Sequence, residues 1–223
     1  LVLHRLDRGT RTAPLARRVL GALAVLGLLA LADAAREATW LAIPKREQAL
    51  AAGCCTFHTP TTSLGVVARM TAGLTEVERD TALAVATFTV AGILIAGTLV
   101  LRRLLAGGRA LPVWLALALV PVAVLWIPLS LDYASHVAAP RLVALPDHHC
   151  VYCLLADVPL GGAAIGLSML GTFGVGWTAT LLVWGRHDET LGTLRPLARG
   201  SLLAGLIGFA GAALLAALAR AVV

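Results

Sequence analysis

The sequence predicts an all-α protein: a polytopic transmembrane bundle of about five helices, forming a single integral membrane domain over residues 1–223. Three observations carry that expectation. Hydrophobic residues make up 59% of the chain and charged residues only 13%, with a mean hydropathy of +0.87, whereas about a quarter of the residues in soluble domains are charged. The apolar residues fall into five long runs. The basic residues gather in alternate connections between those runs. Such a chain carries more apolar surface than a core of its size can bury, and the lipid bilayer is the natural solvent for the excess. The net charge of +6 does not point to nucleic acid, because the positive residues stand at run ends and no basic stretch is interleaved with aromatics.

The first run, Val19 to Ala32, follows Arg17 and Arg18. It is short for a hydrocarbon core that needs about 20 residues, but snorkelling arginines and an extension towards Trp40 close the gap. Its basic start and the small residues Ala32, Ala34 and Ala35 also resemble a signal peptide; it is read as the first membrane helix. The second run spans about Thr81 to Leu101 and ends at Arg102 and Arg103. The third, about Leu111 to Leu131, contains Pro112, Pro121 and Pro128, and Pro121 is expected to kink it near mid-membrane. The fourth, about Val158 to Trp184, is glycine-rich, and its Gly162 and Gly166 form a G-x-x-x-G that permits close helix approach. The fifth covers about Ser201 to Val223, and residues 41–75 leave room for a re-entrant segment.

Orientation follows from the basic residues. Residues 1–18, 102–109 and 186–199 hold 11 of the 18 Lys and Arg, while the opposite connections, about 33–80 and 132–157, hold six. The positive-inside rule then places the N-terminus in the cytoplasm and the C-terminus outside. On that reading the protein is integral to the inner (cytoplasmic) membrane with its active face extracytoplasmic. Cys54, Cys55, Cys150 and Cys153 all fall on the outer side, together with His58, His136, His148 and His149.

An outer compartment permits disulfides. Four cysteines in two pairs on one face suggest chemistry, although buried cysteines in an apolar core, or two static disulfides, would also account for them. Cys150-Val151-Tyr152-Cys153 is a C-x-x-C just before the fourth run. At a helix start, unpaired backbone N–H groups stabilise a thiolate. Asp147, His148 and His149 precede it, and an imidazole there serves either as a cation beside a thiolate or as a soft-metal ligand. Cys54 and Cys55 are adjacent, and a disulfide between them would close a strained ring, so exchange with a partner or capture of a soft metal suits them better than a static bridge. His58 completes a C-C-x-x-H. Asp33 and Arg36, three apart on the first helix, are expected to pair near the outer interface.

With both pairs outside, the pattern resembles the vitamin K epoxide reductase family of membrane thiol oxidoreductases. The resemblance rests on Cys150-Val151-Tyr152-Cys153-Leu154-Leu155 at the outer end of the fourth helix and on Cys54 and Cys55 in the first outer loop. It implies a small helix bundle in which Cys54, Cys55, Cys150 and Cys153 are catalytic. A thiol protein outside the cytoplasm would reduce the loop pair, the loop pair would reduce the C-x-x-C, and a quinone among the third and fourth helices would accept the electrons. Tyr152, Trp126 and Phe173 are candidate pocket residues by position. Two other readings compete. In one, Cys150, Cys153 and His149, with His58, Cys54, Cys55, His136 or His148, bind copper or zinc for delivery, uptake or structural pinning. In the other, the chain is an accessory subunit packed against other membrane subunits.

Overall fold

The computed structural model of the chain describes residues 6–8, 10, 13, 15–42, 73–107, 112–144 and 151–221. The described residues form helices and turns with no strand. Five helical stretches are long and apolar enough to cross a membrane, as an integral membrane protein requires.

Helix α1 (Ala16–Ala42) is apolar around its whole circumference through the middle. Leu23, Leu26 and Leu29 are all exposed, and none of its most apolar stretch is buried in the protein. A helix that shows hydrocarbon on every side is soluble only in lipid or against another membrane helix. Just before it, Leu6 and Leu15 tuck into the bundle core, and in its first turn Arg18 donates to the carbonyl of Trp184 at 2.9 Å.

Helix α2 (Glu76–Ala106) starts about five residues before the apolar run. The cause is a capping box, in which Thr75 Oγ1 accepts from the Glu78 N–H while the Glu78 carboxylate accepts from the Thr75 N–H at 2.9 Å. Helix α3 (Val113–Tyr133) passes through Pro121 and Pro128 without interruption. It continues as a π-turn over Ala134–Ala138 and a last turn, α4 (Ala139–Leu142), so the helical span outruns the expected end at Leu131 by 11 residues. In the π-turn the Ala139 N–H reaches back to the Ala134 carbonyl. Pro140, which has no N–H to give, falls directly after this irregularity. Ser135 Oγ donates to the Asp132 carbonyl at 3.1 Å, and Arg141 lies 3.7 Å from Asp80 of α2.

Val151, Tyr152 and Cys153 of the C-x-x-C belong to a separate short helix and not to the membrane-spanning one. Helix α5 (Val151–Asp157) ends where Val158 turns extended. That conformation is the one a residue before proline favours, and Pro159 then begins α6 (Pro159–Trp184) at a position where its missing N–H costs nothing. A 3-10 turn over Asp188–Thr190 leads into α7 (Leu191–Ala221). This helix starts ten residues before the expected Ser201, so Arg195 and Arg199 are helical and not part of a loop, and Pro196 sits in its second turn.

Helices α2, α3, α6 and α7 pack together, with α6 and α7 in the most extensive contact. Glycines set that approach: a methyl group on Gly174 would lie 2.7 Å from Gly205 Cα, and one on Gly208 would collide with the backbone of Gly171. The G-x-x-x-G expected from the sequence is not the pair that does this. Gly166 has nothing within 4 Å of a methyl position, and Gly162 meets only Leu155 at ordinary contact distance. The core divides in two. One part is built on Leu94, Trp126, Leu182, Leu202 and Phe209, and the other, at the end carrying α5, on Leu83, Leu129, Tyr133, Val137 and Leu154.

Candidate functional site

At the α5 end the bundle encloses a cavity of about 430 Å³, within the range of small-molecule sites, roughly 300–1,000 Å³. Its walls come from the second halves of α3 and α7 and the first half of α6, with Thr87 from α2 and Leu154 from α5. Among the described residues, no Asp, Glu, Lys, Arg or His lines it. On the flank between α3 and α6 its residues are open to the outside of the bundle: Ile127 is 45% exposed, Met169 68% and Phe173 62%. The inner wall is closed by Trp126, 2% exposed and edge-on to Phe209 at 5.9 Å, and by Tyr133. The Tyr133 hydroxyl donates to the Ala216 carbonyl at 3.1 Å, tying α3 to α7 across the cavity, and its ring meets Phe88 edge-on.

Helix α5 reaches the cavity through Leu154. Leu154, next in the chain after Cys153, is 2% exposed and forms part of the cavity wall. It is held by the start of α6, where a methyl group on Gly161 would lie 2.6 Å from Leu154 Cγ and 2.7 Å from the Leu154 carbonyl oxygen. Only glycine lets α5 come this close, so Gly161 fixes the short helix against the rim.

Of the residues singled out from sequence, Trp126 and Phe173 both line the cavity. Trp126 is deep in the wall, whereas Phe173 stands at the flank, stacked on Trp177 at 5.4 Å. Tyr152 and Cys153 belong to α5, and their side chains lie outside what is described. Cys54, Cys55, His58, His148, His149 and Cys150 also lie outside the described residues, as does most of the stretch considered for a re-entrant segment. His136 sits in the π-turn with Nδ1 2.9 Å from Ser135 Oγ and 3.1 Å from the Asp132 carbonyl. Among the described residues no group of three His, Cys, Asp or Glu comes together as a metal site.

Sequence reading missed Thr87, Tyr133, Leu154, Gly161 and Met169. The first two carried a faint signal, Thr87 being a polar-tipped residue inside an apolar run and Tyr133 one just past the end of another. The others look like ordinary lipid-facing or packing residues until the fold brings them together. No protein-family model matches this chain, and neither a curated protein nor a solved structure matches it.

Proposed function

We propose that the protein is a membrane thiol–disulfide oxidoreductase that passes electrons from an extracytoplasmic thiol protein to a quinone. The observation that carries this reading is the apolar cavity whose described wall includes Leu154, one residue from Cys153. A lipid-accessible, apolar pocket on the same short helix as Cys153 suits a lipid-soluble electron acceptor.

The chemistry balances in three exchanges. A partner dithiol attacks the Cys54–Cys55 disulfide, leaving the partner oxidised and the loop pair as two thiols. The loop pair then reduces a Cys150–Cys153 disulfide by the same exchange. Finally the Cys150 and Cys153 thiols give two electrons and two protons to the quinone, which leaves as the quinol while the disulfide re-forms. The loop pair faces the partner on this reading. The proposal extends to the wider resemblance with vitamin K epoxide reductase-like enzymes and to an outward-facing site in the cytoplasmic membrane.

Cys153→Ser tests it. With its resolving thiol removed, Cys150 should accumulate in a mixed disulfide with Cys54, Cys55 or the partner protein, seen as a reductant-sensitive adduct after acid quenching. Stoichiometric copper or zinc in the purified wild type, lost on His149→Ala, with no mixed disulfide in Cys153→Ser, would establish the metal reading instead.

A further inference from the structure

Threonines inside the membrane helices of this protein mostly satisfy their hydroxyls on the preceding turn. Thr172 donates to the Ser168 carbonyl at 3.0 Å, Thr178 to Gly174 at 2.8 Å and Thr180 to Gly176 at 2.9 Å. Thr87 does not. Its Oγ1 is buried without a hydrogen-bond partner, although the residue is only 2% exposed. The indole Nε1 of Trp126 is in the same condition. In an apolar interior, where no water competes, an unmade hydrogen bond is costly, and buried donors without partners are rare. Both residues line the same cavity, one from α2 and one from α3. Ser130 and Tyr133, also on the wall, already donate to backbone carbonyls.

We propose that Trp126 and Thr87 form the polar subsite of this cavity and hold an oxygen of a neutral, lipid-soluble carbonyl compound. Trp126 Nε1 can only donate, so its partner must be an acceptor, and the Thr87 hydroxyl can donate to an oxygen of the same ligand. No described wall residue is charged, and a headgroup buried against such a wall costs least when it is neutral. The exposed flank at Met169 and Phe173 lets the ligand enter sideways from the lipid between α3 and α6, with its apolar tail left in the bilayer. The site is shared with the quinone reading above and names the residues that recognise the carbonyl. It does not depend on the cysteines being redox-active.

The test is equilibrium binding of a tritiated short-chain quinone, decyl-ubiquinone, to the full chain in detergent. Decylbenzene, which has the tail and a ring but no oxygen, serves as competitor. The wild type should prefer the quinone by about tenfold or more, the discrimination expected of a buried hydrogen bond. Trp126→Phe and Thr87→Val should each remove most of that preference, and Thr87→Ser should restore it. Thr98 supplies the control. Its hydroxyl is also buried and unpartnered, but it does not line the cavity, so Thr98→Val should bind like the wild type. Equal binding of quinone and decylbenzene, unchanged preference in both Trp126→Phe and Thr87→Val, or a phospholipid acyl chain that the quinone cannot displace would each overturn the proposal. A variant with all four cysteines replaced by serine should bind quinone normally. If the wild type binds quinone with this preference yet never reduces it, the redox reading fails and the subsite stands.

Discussion

Replacing Gly161 with alanine probes the link between the short helix and the cavity. The added methyl would lie 2.6 Å from Leu154 Cγ and 2.7 Å from the Leu154 carbonyl oxygen. The leucine side chain can turn aside, but the carbonyl belongs to the backbone of α5 and cannot. Restoring ordinary contact, which begins near 3.4 Å, requires α5 to move by about 0.7 Å. Overpacking of this kind costs roughly 1–3 kcal/mol, partly offset by the better helix propensity of alanine, about 1 kcal/mol. The net loss of stability should therefore be small, a few degrees in thermal unfolding in detergent. The functional loss should be larger, because displacing a reacting group by about 1 Å can cost on the order of a hundredfold in rate. We expect thiol-dependent quinone reduction to fall by about ten- to a hundredfold with the fold intact. Gly166→Ala, where the methyl meets nothing within 4 Å, should be neutral or slightly stabilising. If Gly161→Ala matches Gly166→Ala in both stability and activity, α5 is not held against the rim as described.

Other consequences follow from the packing and the charge pattern. Gly174→Leu should force α6 from α7 and lower the unfolding temperature by the equivalent of about 1–3 kcal/mol or more, whereas Gly176→Leu, whose methyl position is open, should be tolerated. Tyr133→Phe removes the hydroxyl that bridges to Ala216 and should cost about 1 kcal/mol, measured by unfolding in detergent. Finally, an impermeant thiol reagent applied to intact spheroplasts after reduction should label Cys54, Cys55, Cys150 and Cys153; labelling only after lysis would reverse the proposed orientation.

The existence of five apolar helices was readable from the sequence because hydropathy over about 20 residues is a signal of solvent, and lipid is an uncommon one. Their true ends were not, because helices continue past the apolar stretch wherever local chemistry supports them. Thr75 and Glu78 extend α2 through a capping box that hydropathy does not register. Asp132, Ser135 and His136 made residues 132–142 look like a loop, yet Ser135 and His136 bond to the Asp132 carbonyl within the helix. The early start of α7 was hidden behind Arg195, Pro196 and Arg199, since a charged, proline-bearing stretch reads as a connection.

The sequence draws attention to candidate chemistry, but not to the shape of the cavity. The cysteines stand out because reactive residue types are scarce in an apolar chain. The cavity does not, because its walls are made largely by alanines and leucines from several different helices, and no linear pattern marks which of them face each other. Trp126 was picked by position, but the unmet hydrogen bonds of Trp126 and Thr87 emerge only when burial and neighbours are known. Likewise the glycines of α6 divide by what lies opposite them: Gly171 and Gly174 meet α7, while Gly166 and Gly176 meet nothing.

The central claim is that the C-x-x-C reduces a quinone bound beside it, and a single turnover without oxygen tests it most directly. Fully reduced protein would be mixed with one equivalent of decyl-ubiquinone, and thiols and quinol counted over time. The account predicts two thiols lost for each quinol formed, with the reaction abolished in Cys150→Ser. Quinol formed at the wild-type rate in Cys150→Ser, or thiols left untouched in the wild type while quinone occupies the cavity, would contradict it.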